Sequence, residues 1–350
     1  MRITQVIVGA AYGDAITNEA LRLRRLLRRV CDSEIYAVLI DPRLADVRPL
    51  REYGAGTERD VIIAYVSIGN DELWRFLWSR VETLVIRYHS MTPAEEVLPY
   101  DPEYAKLLTD GLEHVQALAP RTSLGLAGSA YSKRELDAMG FERTATCPLL
   151  VSADTLLSLK PRLPEGMPAA DSPLVLCVGR VVPNKAIEDV LIAFHVLKTY
   201  HLPSASLFLV GGRQFAAYQS FLGQLGKDLG LVDVRFLGRV PAPELAGLYR
   251  RARVLLCLSR HEGFCAPLVE AMAFGVPVVA VEGTAIGETL GGAGCLLDER
   301  SPTLIAEAVL AAITDSDLRE RLVASGRRRV RELDPDRSAV HMLNVIGSVL

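Results

Sequence analysis

The sequence predicts an α/β protein built from two doubly wound parallel-sheet domains. Short apolar runs that end in glycine or polar turns alternate with helical patterns through both halves of the chain. The 350 residues, half of them apolar, are too many for one comfortable hydrophobic core and suit two domains of ordinary size. A proline-rich stretch near the middle, residues 161–173, separates the two halves.

The first half, residues 1–160, is predicted to form one Rossmann-like domain. Its strands are expected at residues 3–8, 34–40, 61–66, 83–88, 123–127 and 143–149. Helical patterns fall between them, at residues 17–30, 71–81, 104–119 and 133–139. Ser132 and Glu135 have the spacing of a capping box at the start of the last of these helices.

The second half restarts the same alternation. Prolines at 161, 164, 168 and 173 mark a linker over residues 161–173, and the second domain is expected over residues 174–330. Its strands are predicted at 174–178, 206–210, 232–237, 254–258 and 276–280, with helices at 187–200, 215–229 and 242–251. Residues 301–350 are helical in pattern, and Pro335 breaks them so that 331–350 forms a terminal helix.

The charge balance argues against a nucleic-acid partner. Lys plus Arg number 39 against 42 Asp plus Glu, a net charge of −3, without the basic surface of a nucleic-acid binder. No uncharged apolar run reaches the ~20 residues of a membrane span, and the first residues lack a signal-peptide pattern. We therefore expect a soluble, cytoplasmic protein, while the oligomeric state stays open.

Membrane contact is left open by the first predicted helix. Its arginines at 22, 24, 25, 28 and 29 form either a solvated helix face or a surface that approaches anionic lipid at the inner face of the membrane.

The six cysteines do not form a metal-binding pattern. They stand at positions 31, 147, 177, 257, 265 and 295, with no CxxC pair and mostly within apolar runs. Buried, reduced thiols are the expected state, and no metal site is predicted.

Residues 254–280 hold the strongest functional signal. A buried apolar strand ends in the polar turn 259–263, Pro267 is placed to begin a helix, and Gly275 to end it. This order places a helix N-terminus, with its unpaired N–H groups, at the carboxyl edge of a parallel sheet. Such an edge is an anion site.

Two carboxylates in this stretch require an explanation. Glu270 has a structural alternative, since an acidic residue in a first helical turn complements the helix dipole. Glu262 precedes Gly263 in the loop, where it would project into the crevice at the sheet edge and accept hydrogen bonds from hydroxyl groups.

The run at residues 262–277, EGFCAPLVEAMAFGVP, resembles the E-x7-E signature of family-4 retaining glycosyltransferases. The resemblance implies the GT-B fold, in which two Rossmann-like domains face a central cleft and a terminal helix crosses back to the first. By position it implies that Glu262 lies beside the transferred sugar and Glu270 binds the nucleotide ribose. It also implies donor contacts from the rest of the run, at Gly263, Phe264, Cys265 and Leu268.

Further motifs match the same family. Arg180 and Lys185 follow the first strand of the second half in its G-R-x4-K pattern, which implies that they hold the donor diphosphate, although Ala186 replaces the family's usual glycine. Gly238 and Arg239 resemble a turn near the nucleobase. In the first half, Gly13 is expected near the diphosphate or the acceptor, and Asp14 on the acceptor side.

His89 follows a strand in the segment YHSMT, which resembles the Y-H-N-I-T-P loop of some family members, although Ser90 and Met91 replace the usual Asn and Ile. The resemblance implies that His89 faces the donor sugar. The alternative is a structural histidine bonded to neighbouring backbone.

The resulting hypothesis is a metal-independent, retaining transfer of a hexosyl group from a nucleotide diphosphate sugar to an acceptor hydroxyl, with no cofactor. The acceptor is a saccharide, a lipid-linked intermediate or a small natural product. Two alternatives remain: a nucleotide-sugar-binding subunit without catalysis, and a nucleotide-sugar epimerase on the same fold.

Overall fold

The computed structural model describes residues 1–151 and 153–350, and these form two compact units. The first unit comprises Met1–Ala94, Glu103–Val151 and Leu333–Leu350. The second comprises Glu95–Pro102 and Ser152–Glu332.

These limits differ from the predicted domain limits in two places. The second segment of the first unit ends at Val151, and the proline-rich residues predicted as a linker belong to the second unit. The backbone N–H of Arg162 donates to the Pro243 carbonyl at 2.9 Å, and a Cβ on Gly247 would stand 2.1 Å from the Arg162 carbonyl oxygen. Residues 95–102, from the middle of the first half, also belong to the second unit, because Glu96 pairs with Arg260 and Tyr100 packs against Tyr218.

The described residues of the first unit form a seven-stranded sheet in which every pairing is parallel. Its strands are β1 (Ile3–Ala10), β2 (Ile35–Ile40), β3 (Arg48–Pro49), β4 (Val61–Val66), β5 (Thr83–Tyr88), β6 (Leu124–Ala127) and β7 (Thr144–Thr146). They lie in the order β3-β2-β1-β4-β5-β6-β7. The helices of this part of the chain are α1 (Ala15–Leu27), α2 (Asp71–Trp78), α3 (Ala94–Val97), α4 (Pro102–Leu118) and α5 (Ala130–Ala138).

The second unit has a six-stranded parallel sheet over its described residues. Its strands are β8 (Leu174–Val178), β9 (Ser206–Val210), β10 (Val234–Gly238), β11 (Val254–Cys257), β12 (Val278–Val281) and β13 (Cys295–Leu297). They lie in the order β10-β9-β8-β11-β12-β13. The surrounding helices are α6 (Ala153–Leu157), α7 (Ile187–Tyr200), α8 (Ala216–Asp228), α9 (Ala242–Arg251), α10 (Ala266–Ala273), α11 (Ile286–Leu290), α12 (Pro302–Thr314) and α13 (Ser316–Glu332).

Both sheets reverse their strand order beside the first strand of the unit, which is the doubly wound arrangement. The prediction of two doubly wound α/β domains is therefore confirmed. In such sheets the crevice outside the carboxyl ends of the strands is where ligands bind.

The last helix of the chain, α14 (Pro335–Gly347), groups with the first unit. Its buried residues Ala339, Met342 and Ile346 join the core that contains Leu23 and Leu27 of α1. Pro335 stands at its first position, where the missing N–H costs no hydrogen bond, and the Asp334 carboxylate caps the helix.

The predicted capping box of α5 is wrong. Ser129 is the cap and accepts from the Ser132 N–H at 3.1 Å, so the helix begins at Ala130. Glu135 is consequently one turn inside the helix and accepts a hydrogen bond from the Ser90 hydroxyl.

Candidate functional site

Two neighbouring strand ends of the second unit bring Lys185 and Glu262 together. Lys185 ends the 3-10 turn Pro183–Lys185 after β8, and Glu262 lies in the loop after β11. Because β8 and β11 pair in parallel, their carboxyl ends meet at one edge of the sheet. There the Lys185 ammonium donates a hydrogen bond to Oε1 of Glu262. The sequence separation of this ion pair is 77 residues.

Two further residues, Ser259 and Thr284, hold Glu262 in place. The Ser259 hydroxyl donates to Oε1 of Glu262 at 2.8 Å. The Glu262 N–H donates to Oγ1 of Thr284 at 2.7 Å, and the Thr284 hydroxyl donates back to the Glu262 carbonyl at 2.8 Å. Thr284 adopts φ 54°, an uncommon backbone conformation for a threonine. No spacing in the sequence links Thr284 to Glu262, since the contact exists only once the two loops meet.

The environment of this pair keeps both groups charged. Burial raises the pKa of Glu262, but the Lys185 ammonium and the hydrogen bonds to the carboxylate outweigh burial and leave the pKa below its ordinary value. For Lys185, burial lowers the pKa and the Glu262 carboxylate raises it, with a net increase. The two side chains keep part of their surface accessible to solvent, 18% for Lys185 and 9% for Glu262.

Glu270 lies on α10, and its carboxylate accepts a hydrogen bond from the Tyr249 hydroxyl at 2.7 Å. Since α10 begins at Ala266, Glu270 is outside the first helical turn, and the alternative of a dipole-complementing residue does not apply. Burial raises the pKa of Glu270, and the Tyr249 hydrogen bond opposes that increase. Tyr249, on α9, is a residue that the sequence analysis did not identify.

The remaining residues of the E-x7-E run surround the start of α10. Phe264 and Leu268 are buried, and the Phe264 carbonyl accepts from the Thr289 hydroxyl. The backbone N–H of Leu268 donates to the carbonyl of Cys265, which is the N-cap residue of α10, while Gly263 is half-buried. Leu268 thus anchors α10 to the core. The residues from Gly263 to Cys265 lie in the loop before α10.

Arg180 lies at the same edge but is not paired with Glu262. Its side chain is exposed and donates to Gln214 at 3.1 Å. Gly179, Arg180, Lys185, Cys257, Ser259 and Pro267 line one small cleft at this edge. Gly238 is the last residue of β10, at the edge of the sheet order, and has φ 67°. Arg239 follows it and is exposed.

Among the described residues, no cysteine forms a disulfide. Three of the cysteines are buried: Cys147, Cys257 and Cys265. The structure brings Cys257 and Cys265 together, with 3.8 Å between the two Sγ atoms. Cys265 has φ 74°, although it is not a glycine.

In the first unit, His89 follows β5 and contacts a buried carboxylate. Its Nε2 lies 3.3 Å from Oε2 of Glu19, and its ring stacks on Tyr65 with 5.7 Å between centroids. Glu19 also accepts two hydrogen bonds from Arg87, and both of those side chains are completely buried. Burial raises the pKa of Glu19, but Arg87 and His89 outweigh it and lower the pKa to about 2.

Gly13 and Asp14 occupy the turn between β1 and α1. Gly13 has φ 77°, which favours glycine, and a Cβ there would meet no neighbouring atom within 4 Å. Asp14 is the N-cap of α1 and accepts from the N–H groups of Ile16 and Thr17. Its carboxylate therefore has a structural role that the sequence reading did not assign.

The arginines of α1 and of the two residues after it do not form one free basic face. Arg24 is buried and pairs with Asp46, Arg22 pairs with Asp336, and Arg28 pairs with Glu34. Arg25 and Arg29 are exposed. Over the residues that the structure describes, no helix combines the length and apolarity needed to cross a membrane.

Comparison with known proteins relates the second unit to one family. Residues 164–329 match the family model for glycosyl transferases group 1. The chain is 31% identical over 171 residues to the O-antigen chain mannosyltransferase B of Escherichia coli, which covers 48% of this chain and 44% of that protein. It is 37% identical over 190 residues to the D-inositol 3-phosphate glycosyltransferase of Thermomonospora curvata, which covers 51% and 43%. The alignments thus span less than half the length of these relatives.

Solved structures extend the likeness to both units. HepE of Anabaena in complex with UDP-glucose superposes with a TM-score of 0.76 at 18% identity, over 99% of this chain and all of that one. Sucrose-phosphate synthase of Thermosynechococcus elongatus gives a TM-score of 0.75 at 19% identity, over 100% and 99%. The chain has the GT-B glycosyltransferase fold. Its second unit carries the match to the group 1 glycosyltransferase family.

Proposed function

We propose that this protein is a retaining glycosyltransferase that moves a hexosyl group from a nucleotide diphosphate sugar to an acceptor hydroxyl. One observation carries the proposal: the ion pair of Lys185 and Glu262 at the carboxyl edge of the second sheet. It places an ammonium group, which suits a diphosphate, against a carboxylate, which suits sugar hydroxyls. Placement in family 4 rests on the E-x7-E run that contains Glu262 and Glu270.

The proposed reaction breaks the bond between the anomeric carbon and the diphosphate oxygen. A bond forms between that carbon and the acceptor oxygen on the same face, and the acceptor proton passes to the departing phosphate. Charge therefore develops on the diphosphate, beside Lys185, Arg180 and the N-terminus of α10. Glu262 orients the sugar and is not a covalent nucleophile in this scheme.

Lys185 carries out two roles in this proposal. Without donor its charge is balanced by Glu262. A bound diphosphate would compete for the ammonium group and release the Glu262 carboxylate toward the sugar, while Ser259 and Thr284 continue to hold Glu262 in place. Lys185 and Arg180 supply fixed positive charge beside the departing diphosphate. This supports a transfer that does not require a metal ion or another cofactor.

The names of similar proteins support several donors and acceptors. One relative is described as a GDP-mannose-dependent phosphatidylinositol monomannoside mannosyltransferase, and HepE was solved with UDP-glucose. We propose a nucleotide sugar as donor and a saccharide, lipid-linked or small-molecule acceptor. We assign His89 of the first unit to the sugar and Asp14 to the acceptor. A cytoplasmic location fits such acceptors, and a lipid acceptor would bring the protein to the inner face of the membrane.

A panel of UDP, GDP and ADP sugars tests this function. The best donor, selected by thermal shift, is followed by turnover with candidate acceptors and measurement of free nucleoside diphosphate. We expect Glu262→Gln to lower transfer more than about tenfold while the protein stays folded. Glu320→Gln, at an exposed position of α13, is the matched control and should transfer at the wild-type rate.

The same assay separates the alternatives. Donor binding without release of nucleoside diphosphate in any acceptor reaction would indicate a binding subunit. Conversion of the donor to an epimer without consumption of an acceptor would indicate an epimerase.

A further inference from the structure

A cluster of metal-binding side chains lies beside the proposed sugar site. Among the described residues, Cys257, Glu262 and Cys265 each offer one ligand atom, and these atoms all lie within 4.8 Å of one another. All three residues are buried. Two thiols and a carboxylate are ligands that zinc accepts in proteins.

The spacing of the sulfur atoms fits a metal ion better than a disulfide. Two thiolates bound at about 2.3 Å to a tetrahedral zinc ion stand about 3.8 Å apart. The Sγ atoms of Cys257 and Cys265 are 3.8 Å apart. A disulfide requires about 2.05 Å, so the two sulfurs would have to approach by roughly 1.7 Å. The observed sulfur separation therefore matches that of two zinc-bound thiolates without further approach of the sulfurs.

The backbone at Cys265 indicates that its position is maintained against strain. Cys265 has φ 74° and lies directly before α10. A residue with a Cβ in this region costs on the order of 1 kcal/mol more than glycine, and such residues cluster at functional sites. In this backbone conformation Sγ of Cys265 lies beside Sγ of Cys257, at the end of β11.

We propose that Cys257, Glu262 and Cys265 form a binding site for a thiophilic divalent cation of the zinc type, with water as the fourth ligand. Lys185 and Ser259 both donate to Oε1 of Glu262, so an ion bound through Oε2 displaces neither of them. Binding deprotonates both thiols. The ion, two thiolates, Glu262 and Lys185 then sum to zero formal charge, the same as the unbound Glu262 and Lys185 pair.

The ion is an inhibitor in this proposal, not a cofactor. This consequence rests on the proposed function. An ion on Oε2 removes the oxygen that Glu262 would offer to the donor sugar, so transfer falls as the site fills. The site thereby links soft-metal concentration to the activity of the second unit.

Titration of the reduced, metal-free protein with Co²⁺ tests binding without any substrate. We expect one ion per chain, a sulfur-to-cobalt charge-transfer band, the visible spectrum of tetrahedral cobalt and the release of two protons per ion. Zn²⁺ should displace the cobalt. Cys257→Ser and Cys265→Ser should each weaken Zn²⁺ binding at least tenfold, measured against a chromophoric chelator. Cys295→Ser, at a half-buried cysteine of β13, is the control and should bind as the wild type does.

Loss of the charge-transfer band in the Cys295 variant, or its survival in both the Cys257 and Cys265 variants, would overturn the site. Circular dichroism of each variant checks folding, and Cys265→Ala replaces any variant that fails to fold. A disulfide between Cys257 and Cys265 in the titrated sample, found by mass spectrometry in place of bound metal, would also overturn it. Cobalt binding with no transferase activity would refute the proposed function alone, while activity that is insensitive to zinc at full occupancy would refute only the inhibition.

Discussion

Each unit of this protein contains a buried ion pair near the carboxyl end of its sheet, and the two pairs differ in their access to solvent. In the first unit, Arg87 and Glu19 are joined by two hydrogen bonds and have no exposed side-chain surface. In the second, the side chains of Lys185 and Glu262 keep 18% and 9% exposure. The first pair is closed to solvent, and Arg87 donates a third hydrogen bond to the Cys147 carbonyl. The second can exchange its partner for a ligand.

The difference indicates distinct roles. A closed pair fixes neighbouring groups, and Glu19 also accepts from the Leu150 N–H and contacts His89. In a partly open pair, a bound ligand can take the place of one partner and so separate the two charged groups. We therefore expect the first pair to determine stability and the second to determine activity.

Breaking the closed pair should produce the largest effect. Arg87→Met leaves the Glu19 carboxylate buried without its cation, which should cost about 3–5 kcal/mol in the free energy of unfolding. Urea unfolding, followed by a probe in the first unit, measures this loss. The double variant Glu19→Gln with Arg87→Met should recover most of it, because no buried charge remains. Arg25→Met, at an exposed site of α1, should unfold as the wild type does, and an equally small effect at Arg87 would remove the distinction between the pairs.

The second unit should be the more sensitive to mild acid. Burial lowers the pKa of His261 to about 4, against an ordinary value of 6.5. The unfolded chain binds this proton at higher pH than the folded chain does. Stability should therefore fall as the pH decreases from about 6.5 toward 4, by up to about 3 kcal/mol from this group.

His261→Asn should remove that part of the pH dependence. Urea unfolding midpoints measured between pH 7 and pH 4 cover the interval between the unfolded and folded pKa values. The same substitution at exposed His341 is the control. If stability changed with pH equally in the wild type and the His261 variant, the imidazole would not be the cause of the acid sensitivity.

Breaking the open pair should affect activity more than stability. Lys185→Met should lower transfer more than about tenfold, while its cost in unfolding free energy stays below half of that for Arg87→Met. The reason is that Glu262 keeps the Ser259 hydrogen bond and access to water. Lys227→Met, at an exposed site of α8, is the matched control. A stability loss equal to that of Arg87→Met, with transfer unchanged, would reverse the assigned roles.

The smallest effect is expected at the second glutamate. Tyr249→Phe removes the hydroxyl that donates to Glu270 and should cost about 1 kcal/mol in stability. If Glu270 binds the donor ribose, donor KM should rise several-fold with kcat little changed, measured by steady-state kinetics. A fall in kcat at constant KM would place Tyr249 at the reaction itself.

Local patterns in the chain determined the two-domain α/β class and predicted the candidate site of the second unit. Alternating apolar runs and helical patterns gave both sheets, because buried parallel strands and their crossover helices leave a periodic record. The E-x7-E and G-R-x4-K motifs located Glu262, Glu270, Arg180 and Lys185, because a loop between a strand and a helix must carry its polar groups at short range.

Only the tertiary structure decided which groups meet. Lys185 and Glu262 are 77 residues apart, Thr284 reaches Glu262 from a different loop, and Glu19 reaches Arg87 across 68 residues. The grouping of 95–102 with the second unit and the approach of Cys257 to Cys265 depend on packing in the same way. These contacts form because the folded sheet brings loops from distant parts of the chain to the same edge. The spacing of residues along the chain does not specify which of those loops will meet.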